Sequence, residues 1–162
     1  MFENIISLLE EREFVSVATV NKDGRPNAAP KFILKIEPPF VYLVDHIIGQ
    51  TYENIQANRY VSISFMDSEN LEGYRLNGQA DIIKDGKAFE TLSLELHRRF
   101  VKLSASRVIE GVKTGKKNEH FEIEMPDKFV ILKIRVEEAT KIGSQGDLWK
   151  ERTDGACLPE LP

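Results

Sequence analysis

The chain has 162 residues, 41% of them hydrophobic and 30% charged, with a net charge of −4 and a pI near 5.5. That size suits one globular domain over residues 1–162 with a sizeable core. The acidic balance argues against a nucleic-acid binder held by phosphate neutralisation. Cys157 is the sole cysteine, so neither an internal disulfide nor a cysteine-based zinc cluster is available. Acidic residues interrupt MFENIISLLEEREF, which does not read as a secretory signal. No apolar run approaches the roughly 20 residues of a membrane-spanning helix. A cytoplasmic protein with no nucleic-acid or membrane partner is the expectation.

In chain order, Phe2 to Arg12 places Ile5, Ile6, Leu8 and Leu9 at helical spacing. Phe14 to Val20 reads as a strand, and Asp23-Gly24 signals a hairpin into a second strand from Arg25 to about Ile36. Pro26 and Pro30 predict an edge or a bulged start for it. Phe40 to Val44 is a continuous apolar run suited to a strand buried on both faces. Asp45 to Gln50 follows as a loop, and Thr51 is placed to cap a short helix through Ala57. Val61, Ile63 and Phe65 alternate with polar residues. So do Leu76, Gly78, Ala80 and Ile82, which leaves Arg75, Asn77, Gln79 and Asp81 on the other face. Phe89, Leu92, Leu96, Phe100 and Leu103 predict the longest helix, laid over one end of the strands. Residues 104 to 128 read as a loop or broken helix, with Lys113, Lys116 and Lys117 solvated. Phe129 to Val136 resumes a strand, and the tail 143–162 shows no period; it is expected to pack on the domain or on a partner subunit.

The runs FVSVATVNKDGRPNAAPKFILK, FVYLVDHIIGQTYENIQANRYVSISF and YRLNGQADII, within residues 14 to 84, resemble the flavin-binding split barrel of the pyridoxamine 5'-phosphate oxidase-like superfamily. The resemblance implies a mainly β fold, an antiparallel split β-barrel with Greek-key-like order and flanking α-helices. It also implies an FMN-binding homodimer, a flavin-dependent oxidoreductase acting on a small-molecule redox substrate. In that family the flavin phosphate lies where the second strand, the third strand and the short helix converge. Carried onto this chain, the cofactor contacts are Pro30, Lys31, Phe32, Ile33 and Lys35 on the second strand and Asp45 after the third. Gln50 and Thr51 join them at the helix start, with Trp149 stacking from across the dimer.

Two positions depart from the family. Gln50-Thr51 stands where the oxidase has a basic pair and small flavin-binding relatives have lysine-threonine, and Pro30 stands where the oxidase has arginine. The phosphate grip is then weaker, or Lys31, Lys35 or Arg59 supplies the missing charge. Residues that would grip a pyridoxal-type phosphate are not recognisable. From the residues themselves, Lys31 and Lys35 fall on one strand face four positions apart, and Thr51 is a helix cap under any reading.

Asp45 and His46 can border a ring edge or be ordinary loop surface. His97 and His120 fit no metal spacing, so no metal site is expected. The glycines around Lys113 are too closely spaced for a phosphate loop, and no nucleophile elbow is present. No catalytic acid or base is assigned. A split barrel carrying deazaflavin or haem, or a non-catalytic FMN-binding or regulatory module, stays open beside the flavin enzyme.

Overall fold

A computed structural model describes residues 2–115 and 126–153. Among them lie helix α1 (Phe2–Glu10), strands β1 (Phe14–Val20), β2 (Pro26–Glu37) and β3 (Phe40–Asp45), helix α2 (Gln50–Ala57), strands β4 (Tyr60–Asp67) and β5 (Glu72–Ile83), helix α3 (Gly86–Thr114), and strands β6 (Val130–Ile142) and β7 (Leu148–Arg152). The sheet runs β3-β2-β1-β4-β5-β6, all neighbours antiparallel, and β3 pairs back onto β6 to close a six-stranded barrel. β7 continues along β6 beyond the point where β3 ends.

The β1–β2 turn follows from its residues. Asn21 Oδ1 accepts the N–H groups of Asp23 (2.9 Å) and Arg25 (2.8 Å), and Gly24 takes φ 80°. Beyond the turn, β2 is an edge for half its length: Pro26–Lys31 pairs with β1 alone, and β3 joins only from Phe32↔Val44. Proline is tolerated there because no second ladder needs its missing N–H.

Alternate side chains point inward, and Ile33, Leu43, Ile63, Leu76, Leu132 and Ile134 are fully buried at the centre. Ile5 and Leu9 of α1 close one end and Ile55 of α2 packs into the other. β3 is buried on both faces as its apolar run predicts: Val41 and Leu43 face the barrel core, Tyr42 and Val44 face α3. Leu92, Leu96 and Phe100 of α3 cover that outer layer together with Phe32, Leu34 and Ile131. Each such side chain contributes about 1.5–3 kcal/mol by leaving water.

Three expectations are corrected. Residues 104 to 114 are continuous helix rather than a loop or broken helix, because Gly111 falls inside the continuing α3, where an isolated glycine costs only about 1 kcal/mol relative to alanine. The stop is Gly115, at φ 67° in the left-handed region that ends helices. β6 runs on to Ile142 through a bulge that leaves Glu137 outside the ladder register with β5. The start of the tail forms β7. Lys116, Lys117, His120 and Cys157 lie outside the described residues.

At the α1 end, Tyr74 is buried and donates its hydroxyl to Glu72, which also takes Lys141 at 2.6 Å. Burial first, then the Glu72 carboxylate, pushes the Tyr74 phenol up to about 12. The raised folded-state value favours the neutral phenol, so its contribution to stability is intact below the ordinary tyrosine pKa of about 10 and is lost as pH rises through about 12. A tyrosinate absorbance titration is expected to show one phenol ionising last, and Tyr74→Phe to remove that step.

Candidate functional site

β2 and β3 part company above Phe32↔Val44. From there β2 follows β1 back to Pro26, while the chain of β3 leaves at Asp45 through residues 46–49 into α2. A fork opens between them. Its walls are the unpaired edge of β2 and the start of α2, and Lys31 and Asp45 meet at its base.

Lys31 and Asp45 form a buried ion pair at 2.6 Å, with side-chain exposures of 5% and 0%. One carboxylate oxygen accepts from the ammonium. The other, Oδ2, has no hydrogen-bond partner among the described residues. A buried pair of this kind is stabilised only when its remaining hydrogen-bonding capacity is also met.

α2 is fastened to the barrel by side-chain amides. Asn54 Nδ2 donates to Thr19 Oγ1 at 3.0 Å, Gln50 Nε2 donates to Asn54 Oδ1 at 2.8 Å, and Asn27 Nδ2 donates to Thr51 Oγ1 at 3.2 Å. Asn27 and Thr19 can do this because both point inward, across the β1–β2 pair Thr19↔Asn27. Thr51 is not the helix cap expected of it. Gly49 occupies that position, with no side-chain cap, and Thr51 is a buried residue of the first turn. The first intrahelical donor is Glu53, bonded to the Gly49 carbonyl at 3.0 Å. The N–H groups of Gln50, Thr51 and Tyr52 precede it and are therefore left to an outside acceptor. Thr51 Oγ1 accepts from Asn27 and keeps its own hydrogen to donate.

Lys31 and Lys35 do not share a face. Ile33 opposes Leu43 and Lys35 opposes Tyr42, so Leu34 is an extra residue, and the bulge turns Lys35 out of the barrel. There it pairs with Glu37 (2.7 Å) and Glu95 of α3 (3.3 Å), which raise its pKa, the Glu37 bond most. Arg59 is held by Asp81. Phe32 packs edge-on between Phe14 and Phe100 on the α3 side, Ile33 is core, and Pro30 and Gln50 are exposed at the fork. His46 is exposed beside a 230 Å³ cavity lined by Phe14, Phe32 and Phe100. Trp149 lies at the opposite end of the barrel, with Lys141 over its ring at 5.5 Å and its edge against Gly143. Within one chain it is not brought to Thr51.

Asn27, Thr19 and Asn54 were not among the residues nominated from sequence. Asn27 could have been found by its parity with Lys31 on β2, and Asn54 by its position one turn after Thr51. No group of three or more His, Cys, Asp or Glu side chains that could hold a metal occurs among the described residues.

A family model described as pyridoxamine 5'-phosphate oxidase matches residues 1–143. The chain belongs to that family. The chain is 29% identical over 94 residues to "Uncharacterized protein MJ0282" of Methanocaldococcus jannaschii. That match takes in 52% of this chain and 62% of the curated relative's length. Among solved structures, a Clostridium acetobutylicum protein related to general stress protein 26 superposes with a TM-score of 0.67 at 17% identity, covering 94% of each chain. A Nostoc punctiforme protein named as pyridoxamine 5'-phosphate oxidase-related and FMN binding gives 0.59 at 13% identity, over 98% of this chain and 96% of that one. A heme binding protein from Mycobacterium smegmatis gives 0.61 at 14%, over 92% of this chain and 56% of that one. At these identities the structures establish the shared fold, the split barrel with its flanking helices.

Proposed function

We propose that this family member binds FMN in the fork between β2 and β3 and works as a flavin-dependent oxidoreductase on a small-molecule redox substrate. The observation that carries the reading is the uncapped start of α2, set against Thr51 and Asn27 with the Lys31–Asp45 pair at the base of the same fork. A phosphate needs several converging donors and a favourable field. The free first-turn N–H groups, the helix dipole and the Thr51 hydroxyl supply them. Lys31 is the nominated cation that neither the bulge nor Asp81 draws away, and a phosphate would take up donors that a single carboxylate oxygen leaves unused. The lack of a basic residue at Gln50 is met in this way. Exposed Ile47 and Ile48 in the adjoining loop offer apolar surface to the ring.

The flavin, when bound, supplies hydride or electron transfer, and the chain binds and orients it. A homodimer completes this proposal. The outer faces of β1, β4 and β5 present the small residues Ser16, Ala18 and Ser62 beside Arg75 and Asn77, above a 540 Å³ cleft reaching to Glu138. A two-fold partner can bury such a surface and lend polar groups to the site. A second reading, haem, is favoured by His46, an exposed imidazole at the mouth of an aromatic-lined cavity.

Purified protein is expected to take up FMN with the absorbance of an oxidised flavin and no haem band. At a hundredfold excess over Kd, binding is expected to add about 2.7 kcal/mol, or roughly 5–10 °C in Tm. Sedimentation is expected at about twice the 18.5 kDa chain mass. Thr51→Ala is expected to weaken FMN more than riboflavin, and Lys35→Ala to change neither. A melting curve unmoved by saturating FMN, in protein free of any other cofactor, would falsify the assignment.

A further inference from the structure

α3 is apolar on two opposite sides, and the barrel uses only one. Leu92, Leu96, Phe100 and Leu103 face the strands. On the far side Leu94, Arg98, Val101, Ala105, Val108 and Val112 follow one another at alternating steps of four and three, and all six are exposed, Leu94 at 62% and Val112 at 81%. Packing accounts for none of them, and local propensity does not account for Val101, Val108 and Val112. Solvent positions of a helix are best filled by Ala, Lys, Glu or Gln, and each valine costs a few tenths of a kcal/mol in helix propensity. An exposed contiguous apolar strip marks a binding surface.

Its width and charge say what kind. The strip is an a/d seam, widened only near its C-terminal end by exposed Ile109, and such a seam is the shape that receives another helix by knobs-into-holes packing. A helix lying in a membrane interface presents a broader face with aromatic anchors, and this side has none. Lys102 borders the seam, and Lys87 and Arg98 lie on its line, all three without ion-pair partners among the described residues. Against them stands Glu90; Glu95 is taken by Lys35, and Glu110 is in register with Leu96 and Leu103. A second copy fits poorly. Antiparallel pairing about the seam's midpoint sets Lys102 against its own equivalent, and parallel pairing does the same for Arg98, where like charges repel.

We infer that the outer face of α3 docks an amphipathic helix of another protein, one with an apolar heptad seam flanked by Glu or Asp. Seam packing supplies the affinity, while the flanking charges select the partner. The inference does not depend on the cofactor.

The test uses the full chain, with and without FMN, and two labelled helical peptides about four heptads long. Both carry leucine at a and d; one carries glutamate at e and g, the other lysine. The glutamate peptide is expected to bind saturably, at least about tenfold more tightly than its lysine twin, and to weaken as salt shortens the Debye length below about 10 Å. Val101→Asp with Val108→Asp is expected to abolish binding, and Arg98→Glu with Lys102→Glu to reverse the preference. Both pairs are exposed, so Tm should be unchanged. Equal affinity for the two peptides, or binding that survives the aspartate pair, overturns the inference. So does self-association that the aspartate pair removes, which assigns the seam to a second copy, or binding to anionic vesicles that the same pair removes.

Discussion

Gly78→Ala is expected to cost about 3 kcal/mol or more, at or above the upper end of the range for overpacked cores. Gly78 is a buried residue of β5 beside the bulge in β6. A Cβ there would lie 2.1 Å from the Arg135 carbonyl oxygen, 2.9 Å from its carbon and 3.0 Å from Val136 Cα. All three are backbone atoms of a paired strand, so no rotamer change relieves the contact. The strands must separate instead, and they do so where β6 changes partner from β3 to β7. Gly73→Ala on the same strand is the control. Its Cβ would meet Ile142 at 3.7 Å, an ordinary contact, and alanine removes glycine's entropic cost. Thermal melts are expected to show a fall of roughly 6–12 °C for Gly78→Ala and little change or a small rise for Gly73→Ala. Equal losses would show that strand pairing at Gly78 does not depend on the close approach.

The barrel was legible because its strands carry strong period-two signals and the Asp23-Gly24 turn fixes their first register. What escaped was whatever depends on one residue inserted into a ladder. Leu34 and Glu137 are ordinary strand residues by type, yet the bulges at them decide which way Lys35 faces and how far β6 runs. Parity arguments assume an unbroken pleat, and they fail at such a point. The site was legible in outline, since Thr51, Gln50, Asp45 and Lys31 do gather at the fork. Their roles were not. Glycine and threonine are about equally favoured at a helix start, so local preference does not choose Gly49 over Thr51 as the cap, and the Lys31–Asp45 pair joins positions 14 apart that meet only because β2 and β3 run antiparallel up to the fork. The outer seam of α3 was hidden for another reason: two apolar faces on one helix blur each other's periodicity, and the barrel-facing one accounts for the helix alone.

The ion pair at the fork separates stability from recognition. Asp45→Ala should leave the Lys31 ammonium buried without its counter-charge, at an expected cost of about 3–5 kcal/mol. That is a large share of the 5–15 kcal/mol that holds a typical domain folded. Replacing both members, Lys31→Met with Asp45→Leu, removes the charges together and is expected to restore stability to near or above the parent, because desolvating a buried pair offsets most of its attraction. If the pair served only packing, the double variant would bind FMN as the parent does. Under the proposed role for Lys31 it folds but has lost a charge-assisted contact worth roughly 1.5–3 kcal/mol, so FMN affinity should fall about tenfold or more. Riboflavin, which lacks the phosphate, should bind the parent and the double variant alike. Urea melts and paired flavin titrations on the same preparations decide it, and a double variant that is stable and discriminates FMN from riboflavin as well as the parent would remove Lys31 from the phosphate site.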